Sequence, residues 1–341
     1  MSFDYDFSLD LGLRSTRYRP ETNLRFTHPD EYKALKLIEE CCNEKFLFAY
    51  DNLIGVGNAI LIGPSFHVTR LHLEHRIIPG SILPDVFDHF SHLRELLLLG
   101  NDLSELPKSI NKLSNLEILD IYGNQFTSIP QQLNDLSTLK KLIICSNPLT
   151  NFDNINNKSN LVDLILGPIS YSFSDDVFFP NLNQLYVSGL EIDDGFSEFI
   201  ERHKSLEILS ILNMNKKFTS IPSTIQFLPK LKKLFINRSN ISKIPDFISR
   251  MTTLQIVSFS NNRIKDIPLD ITNLKNLESF SVTKNPLNPL PDALKYLVQN
   301  NILFISGYPI YPLTIKARLN NMKLRFLPFN FSDPLAFPNL K

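Results

Sequence analysis

The chain is 341 residues long and carries 35 basic and 35 acidic side chains, so its formal net charge is zero. That balance excludes the pervasive basic field that binds a phosphate backbone, and a hydrophobic content of 43% excludes a disordered chain. Proline outnumbers glycine 22 to 11, and neither a GxGxxG run nor a Walker loop occurs, which argues against a nucleotide-binding fold.

Residues 1–29 read as an N-terminal arm. Phe3, Tyr5, Phe7, Leu9, Leu11 and Leu13 alternate with Asp4, Asp6, Ser8 and Asp10, the period of a strand. Two readings stay open for residues 1–15: an extra strand folded on the cap, or an acidic-hydrophobic docking arm that adds to a sheet edge. The acidic start is unlike a signal peptide, and no apolar run approaches the roughly 20 residues of a membrane-spanning helix. Cys41 and Cys42 are adjacent and Cys145 stands apart, which is no disulfide framework, so a reducing, cytoplasmic setting is expected.

Residues 30–66 read as an N-terminal cap. Asp30 is placed as the N-cap of a helix reaching Cys42, with Tyr32, Leu35, Leu37, Ile38 and Cys42 near helical spacing. Ala59-Ile60-Leu61-Ile62 before Gly63-Pro64 predicts a short strand and turn.

From residue 67 to about residue 305 a repeat governs the chain. Leu93, Leu96, Leu98, Asn101, Leu103 and Leu106-Pro107 are followed by Leu116, Leu119, Ile121, Asn124, Phe126 and Ile129-Pro130. Later copies start at Leu139, Leu231, Leu254 and Leu277, and neighbouring starts lie about 23 residues apart, the scale of a solenoid. Weaker copies start at Val68, Leu161, Leu182 and Leu206, giving about ten repeats, with a truncated eleventh near Ile302–Ile305. Residues 306–341 hold Leu313, Ile315, Leu319 and Met322 at near-helical spacing. They are expected to wrap the last repeat, because so many exposed apolar groups would aggregate.

The pattern LxxLxLxxNxLxxLP resembles that of the leucine-rich-repeat proteins. The resemblance implies an α/β solenoid, a horseshoe with a parallel β-sheet on its concave face and short helical or irregular segments on its convex face. The two leucines of LxL share one face of a short strand, and the following Asn supplies an amide to unpaired backbone. The Leu/Ile-Pro dipeptide then turns the chain. The form Ile-Pro-x-x-Ile/Leu resembles the intracellular class, whose members often scaffold small-GTPase or kinase and phosphatase signalling.

Positions alternating with the core leucines face the concave side, where Leu97, Leu99, Ile118, Tyr122, Ile143, Ile165, Tyr186 and Phe235 form apolar rows. An outward apolar patch marks an interaction site, and Tyr122, Tyr186 and Phe235 would be its anchors. The last two repeats offer mainly Ser, Thr and Asn there.

Other chemistry is mostly declined. Five of the seven histidines lie between His67 and His92. The His72-x-x-His75 pair sends its rings in different directions on a strand, unlike a helical HExxH, so no metal and no cofactor is expected. Lys141 near Cys145 would favour a thiolate, yet no positioned His base accompanies it. Asp193-Asp194 is placed as a cap for the segment through Arg202. Only about 30 residues follow the array, too few for a catalytic domain. The expectation is a non-catalytic scaffold with a protein partner, no nucleic acid and no membrane insertion; the alternative is a regulatory module of an associated GTPase, kinase, phosphatase or ligase.

Overall fold

A computed structural model describes residues 27–43, 46–49, 59–63, 65–73, 82–152, 155, 158–168, 173, 176–189, 194–212, 218–287 and 292–299. Residues 1–15, the eleventh repeat near Ile302–Ile305 and the C-terminal segment 306–341 lie outside the described residues.

One sheet of twelve strands runs the length of the described chain in sequence order. Its strands are β1 (Leu47–Ala49), β2 (Ala59–Ile62), β3 (Val68–His72), β4 (Glu95–Leu97), β5 (Ile118–Asp120) and β6 (Lys141–Ile143). They continue with β7 (Asp163–Leu166), β8 (Gln184–Ser188), β9 (Ile208–Leu212), β10 (Lys233–Asn237), β11 (Ile256–Ser258) and β12 (Ser279–Ser281). Among the described strands only the β2–β3 pair is antiparallel, with a register irregularity at Leu61/Ile62. From β3 onward every pair is parallel, because each repeat returns the chain to the same starting side before the next strand.

The leucine spacing explains the strands. Leu96 and Leu98, Leu119 and Ile121, and Leu142 and Ile144 are all fully buried between sheet and outer wall. The proline that follows each inner half starts the return. Pro107, Pro130, Pro222, Pro245 and Pro268 each precede a five-residue 3-10 helix, the first being Lys108–Lys112 and the last Leu269–Asn273. Pro fixes φ at a helix-compatible value and lacks the donor that a helix start leaves unpaired. Segments this short take the tighter helix.

The repeat asparagines close the backbone account. Asn124 donates through Nδ2 to the Leu98 and Ile121 carbonyls at 2.8 and 3.0 Å. Its Oδ1 accepts the N–H groups of Asn101 and Leu103 at 3.1 and 2.9 Å. Asn147, Asn262 and Asn285 repeat the pattern. One buried amide thus satisfies polar backbone in two neighbouring coils. Just before Asn124, Gly123 sits at φ +64°, a left-handed conformation that costs little without a Cβ.

Where the Leu-Pro half is missing, phenylalanines and a longer helix fill the wall. Helix α2 (Asp194–Arg202) buries Phe196, Phe199 and Ile200. Phe173 stacks on Phe199 at 4.3 Å, and Phe152 meets Phe173 edge-on at 5.7 Å. Helix α1 (Pro29–Cys42) covers the N-terminal end, burying Ala34, Leu35, Ile38 and Cys42. Its N-cap lies two residues earlier than the sequence predicts. His28 rather than Asp30 is its N-cap and makes no side-chain capping bond, because Pro29 at the first helical position supplies the start. Helix α3 (Asp292–Gln299) packs after the last described coil, with Ala293 and Leu297 buried.

Candidate functional site on the concave sheet

The register places the sequence-predicted rows side by side. His72, Leu97, Asp120, Ile143, Ile165, Tyr186, Ser210, Phe235, Ser258 and Ser281 are paired one to the next across the ladder. Ile118, Lys141, Asp163, Gln184 and Ile208 form the preceding row in the same way.

Along these rows Ile143, Ile165 and Tyr186 pack into a cluster separate from the solenoid core, with Tyr122, Cys145 and Ile208 against it. The structure therefore brings Tyr122, Ile143, Ile165 and Tyr186 together and adds Cys145 and Ile208. Leu97, Leu99 and Ile118 stand partly exposed outside the cluster. Phe235 is buried and separated from Tyr186 by Ser210.

Burial departs from the expectation of solvent-facing positions. Ile143, Ile165 and Tyr186 are only 5%, 4% and 7% exposed. Parallel strands about 4.8 Å apart hold large side chains shoulder to shoulder, so an apolar row covers its own flanks. Tyr122, Leu97, Leu99 and Ile118 are the members that remain open to contact.

Charged groups edge the cluster. Asp120 is buried and accepts the Tyr122 N–H at 2.9 Å. Asp163 has one buried carboxylate oxygen, Oδ1, without a hydrogen-bond partner among the described residues. Burial pushes its carboxyl above the usual range, opposed by the Lys141 ammonium. The Tyr186 hydroxyl donates to Gln184 Oε1 at 3.1 Å, and burial with the Asp163 charge pushes its phenol up to about 12. The Cys145 thiol is also pushed up, first by burial and then by Asp120. That overturns the expectation that Lys141 would favour its thiolate: burial desolvates the charged form, and the charge that acts on the thiol is the Asp120 carboxylate, which disfavours the thiolate further.

The two ends of the face differ. At the first end Arg70 Nε lies 3.1 Å and His72 Nε2 3.3 Å from the Glu95 carboxylate. Burial opposes ionisation of Glu95, but the His72 hydrogen bond and the Arg70 charge hold its carboxyl below the usual range. His72 is thus committed to Glu95; His75 lies outside the described residues. At the other end Ser258 Oγ donates to Asn237 Oδ1 at 2.8 Å, and the Ser260 and Ser281 hydroxyls are 2.8 Å apart. Those hydroxyls satisfy one another, leaving the apolar middle as the distinctive surface.

The architecture is that of the leucine-rich-repeat proteins. A leucine-rich-repeat protein of Leptospira interrogans is similar at 26% identity and a TM-score of 0.54, over 79% of this chain. This chain spans 64% of that protein's length, just under two thirds. An internalin of Listeria monocytogenes is similar at 18% identity and a TM-score of 0.48, over 76% of this chain and 86% of the internalin. No family model matches the chain, and no curated protein matches it. Among the described residues no helix is long and apolar enough to cross a membrane.

Proposed function

We propose that the protein is a non-catalytic scaffold that holds a partner protein against the middle of its concave sheet, in cytoplasmic signalling. Fold alone does not fix this, since one architecture hosts many functions. The observation that carries the reading is Asp163 Oδ1, a buried acceptor without a partner among the described residues, beside the Ile143–Ile165–Tyr186 cluster. A desolvated acceptor left unpaired costs about 1–3 kcal/mol, and a partner's donor would recover it. The complementary group is a basic or amide side chain flanked by apolar or aromatic residues, which would rest on Leu97, Leu99, Ile118 and Tyr122. Ile143, Ile165, Tyr186 and Phe235 supply the packed floor beneath or beside it.

Photocrosslinking from single positions tests the reading. A benzophenone side chain at Leu99 or Tyr122 should trap one partner protein in native extract, and the same group at the outer-wall residue Phe227 should not. Asp163→Asn should weaken that capture. Equal trapping from Phe227, or no trapping from the concave positions, would overturn the assignment.

A further inference from the structure

We propose that Glu31, His67 and His92 bind one divalent transition-metal ion of the zinc type, which clamps helix α1 to the first coils of the solenoid. The three residues come from separate elements. Glu31 lies in the first turn of α1, His67 directly precedes β3, and His92 lies in the turn before β4. Each offers one ligand atom, and those atoms lie within 4.8 Å of one another.

The chemistry of the set selects the ion. Imidazole nitrogens with a carboxylate suit zinc, copper, nickel or iron, whereas magnesium and calcium prefer all-oxygen shells. Glu31 is fully buried, and its Oε2 accepts the Val68 N–H at 2.9 Å. That bond fixes the carboxylate from behind, as outer partners of metal ligands do. Its Oε1 faces His67 Nδ1 at 3.2 Å. Two ligands on a tetrahedral zinc with bonds of 2.0–2.2 Å stand roughly 3.4 Å apart. The His67–Glu31 pair is already at that separation, so the ion takes the place of the proton between them.

His92 completes the set by turning. Its ring stacks on His67 with centroids 3.9 Å apart and planes 16° from parallel, which keeps its ligand nitrogen within 4.8 Å of those of His67 and Glu31. His92 is exposed, so rotation about its side-chain torsions brings its nitrogen to the ion. Its Nδ1 lies 3.1 Å from Ser91 Oγ, which makes Nε2 the nitrogen on offer. Three protein ligands leave a fourth position for water on the open side. His28 stacks on His67 at 4.7 Å and lies 3.7 Å from Asp30, adding a second imidazole–carboxylate pair beside the site.

The test titrates the untagged full chain with zinc by calorimetry and with cobalt by visible absorption at pH 7.5. One equivalent should bind, and zinc should raise Tm, because an ion that binds only the folded chain stabilises it. His92→Ala removes an exposed ligand without touching the core. It should melt at the wild-type temperature in chelator, lose the zinc-induced rise, and bind about tenfold more weakly or worse. His89→Ala, an exposed histidine outside the set, should bind as wild type. Absence of saturable binding, equal binding by His92→Ala, or an equal loss in His89→Ala would overturn the site.

Discussion

His203 should make the protein lose stability in mild acid. The residue is 1% exposed, beside the rings of Phe199 at 4.1 Å and Phe178 at 5.4 Å. Its Nδ1–H donates to the Phe199 carbonyl at 2.6 Å, and its Nε2 accepts the Phe179 N–H at 3.0 Å. Those partners fix the neutral tautomer, since a proton on Nε2 would meet another N–H. Burial lowers the His203 pKa to about 4, with the Phe199 bond opposing and the Arg202 charge assisting.

The unfolded chain takes up a proton near pH 6.5 and the folded one only near pH 4. Above pH 6.5 both forms are neutral and nothing changes. Between pH 6.5 and 4 the unfolded state binds more protons, so stability falls as pH falls, and below pH 4 this contribution is flat. The full displacement is worth about 3 kcal/mol. Urea unfolding followed by circular dichroism at pH 7.5 and 4.5 should show most of that loss. His203→Gln keeps a donor and an acceptor but no titrating ring, so it should be less stable at pH 7.5 and nearly free of this slope. Carboxylates held low by partners, such as Glu95 and Glu207, are present in both proteins and cancel in the difference. Equal pH slopes for wild type and His203→Gln would refute the reasoning.

Leu119→Ala opens a cavity at a fully buried inner-sheet position and should cost roughly 2–5 kcal/mol in chemical denaturation. Asn124→Ala orphans backbone groups in two coils and should cost at least about 1–3 kcal/mol by the same measurement. Gly123→Ala puts a Cβ on a residue at φ +64°, and a loss of about 1–2 kcal/mol is expected. Asp163→Asn should raise Tm at pH 7. The folded state holds that carboxyl above its usual range, so the charged form is disfavoured at neutral pH and the penalty disappears only in acid; a scan showing lower Tm at pH 7 would contradict this. A residue selected for binding commonly costs stability.

The concave rows were legible in the sequence position by position. A period near 23 with leucines two apart leaves one register in which every core side chain faces inward, so the row from Leu97 through Phe235 followed once the repeat was found. The asparagine bonds followed from the same period. The depth of Ile143, Ile165 and Tyr186 did not, because it depends on the size of neighbours one strand away on both sides. Nor did the Cys145 shift, which comes from packing by those neighbours and from Asp120 on the adjacent strand.

The sequence by itself determined the coil, its strand, its proline-started return and its buried amide, because these interactions recur at a fixed offset and each copy restates them. The tertiary structure decided what occurs once. The meeting of Glu31, His67 and His92 depends on how α1 seats on the first coils, and the neutral His203 depends on phenylalanines that replace a missing half-repeat. Recurrent contacts are encoded by period, whereas singular ones exist only after distant segments have packed.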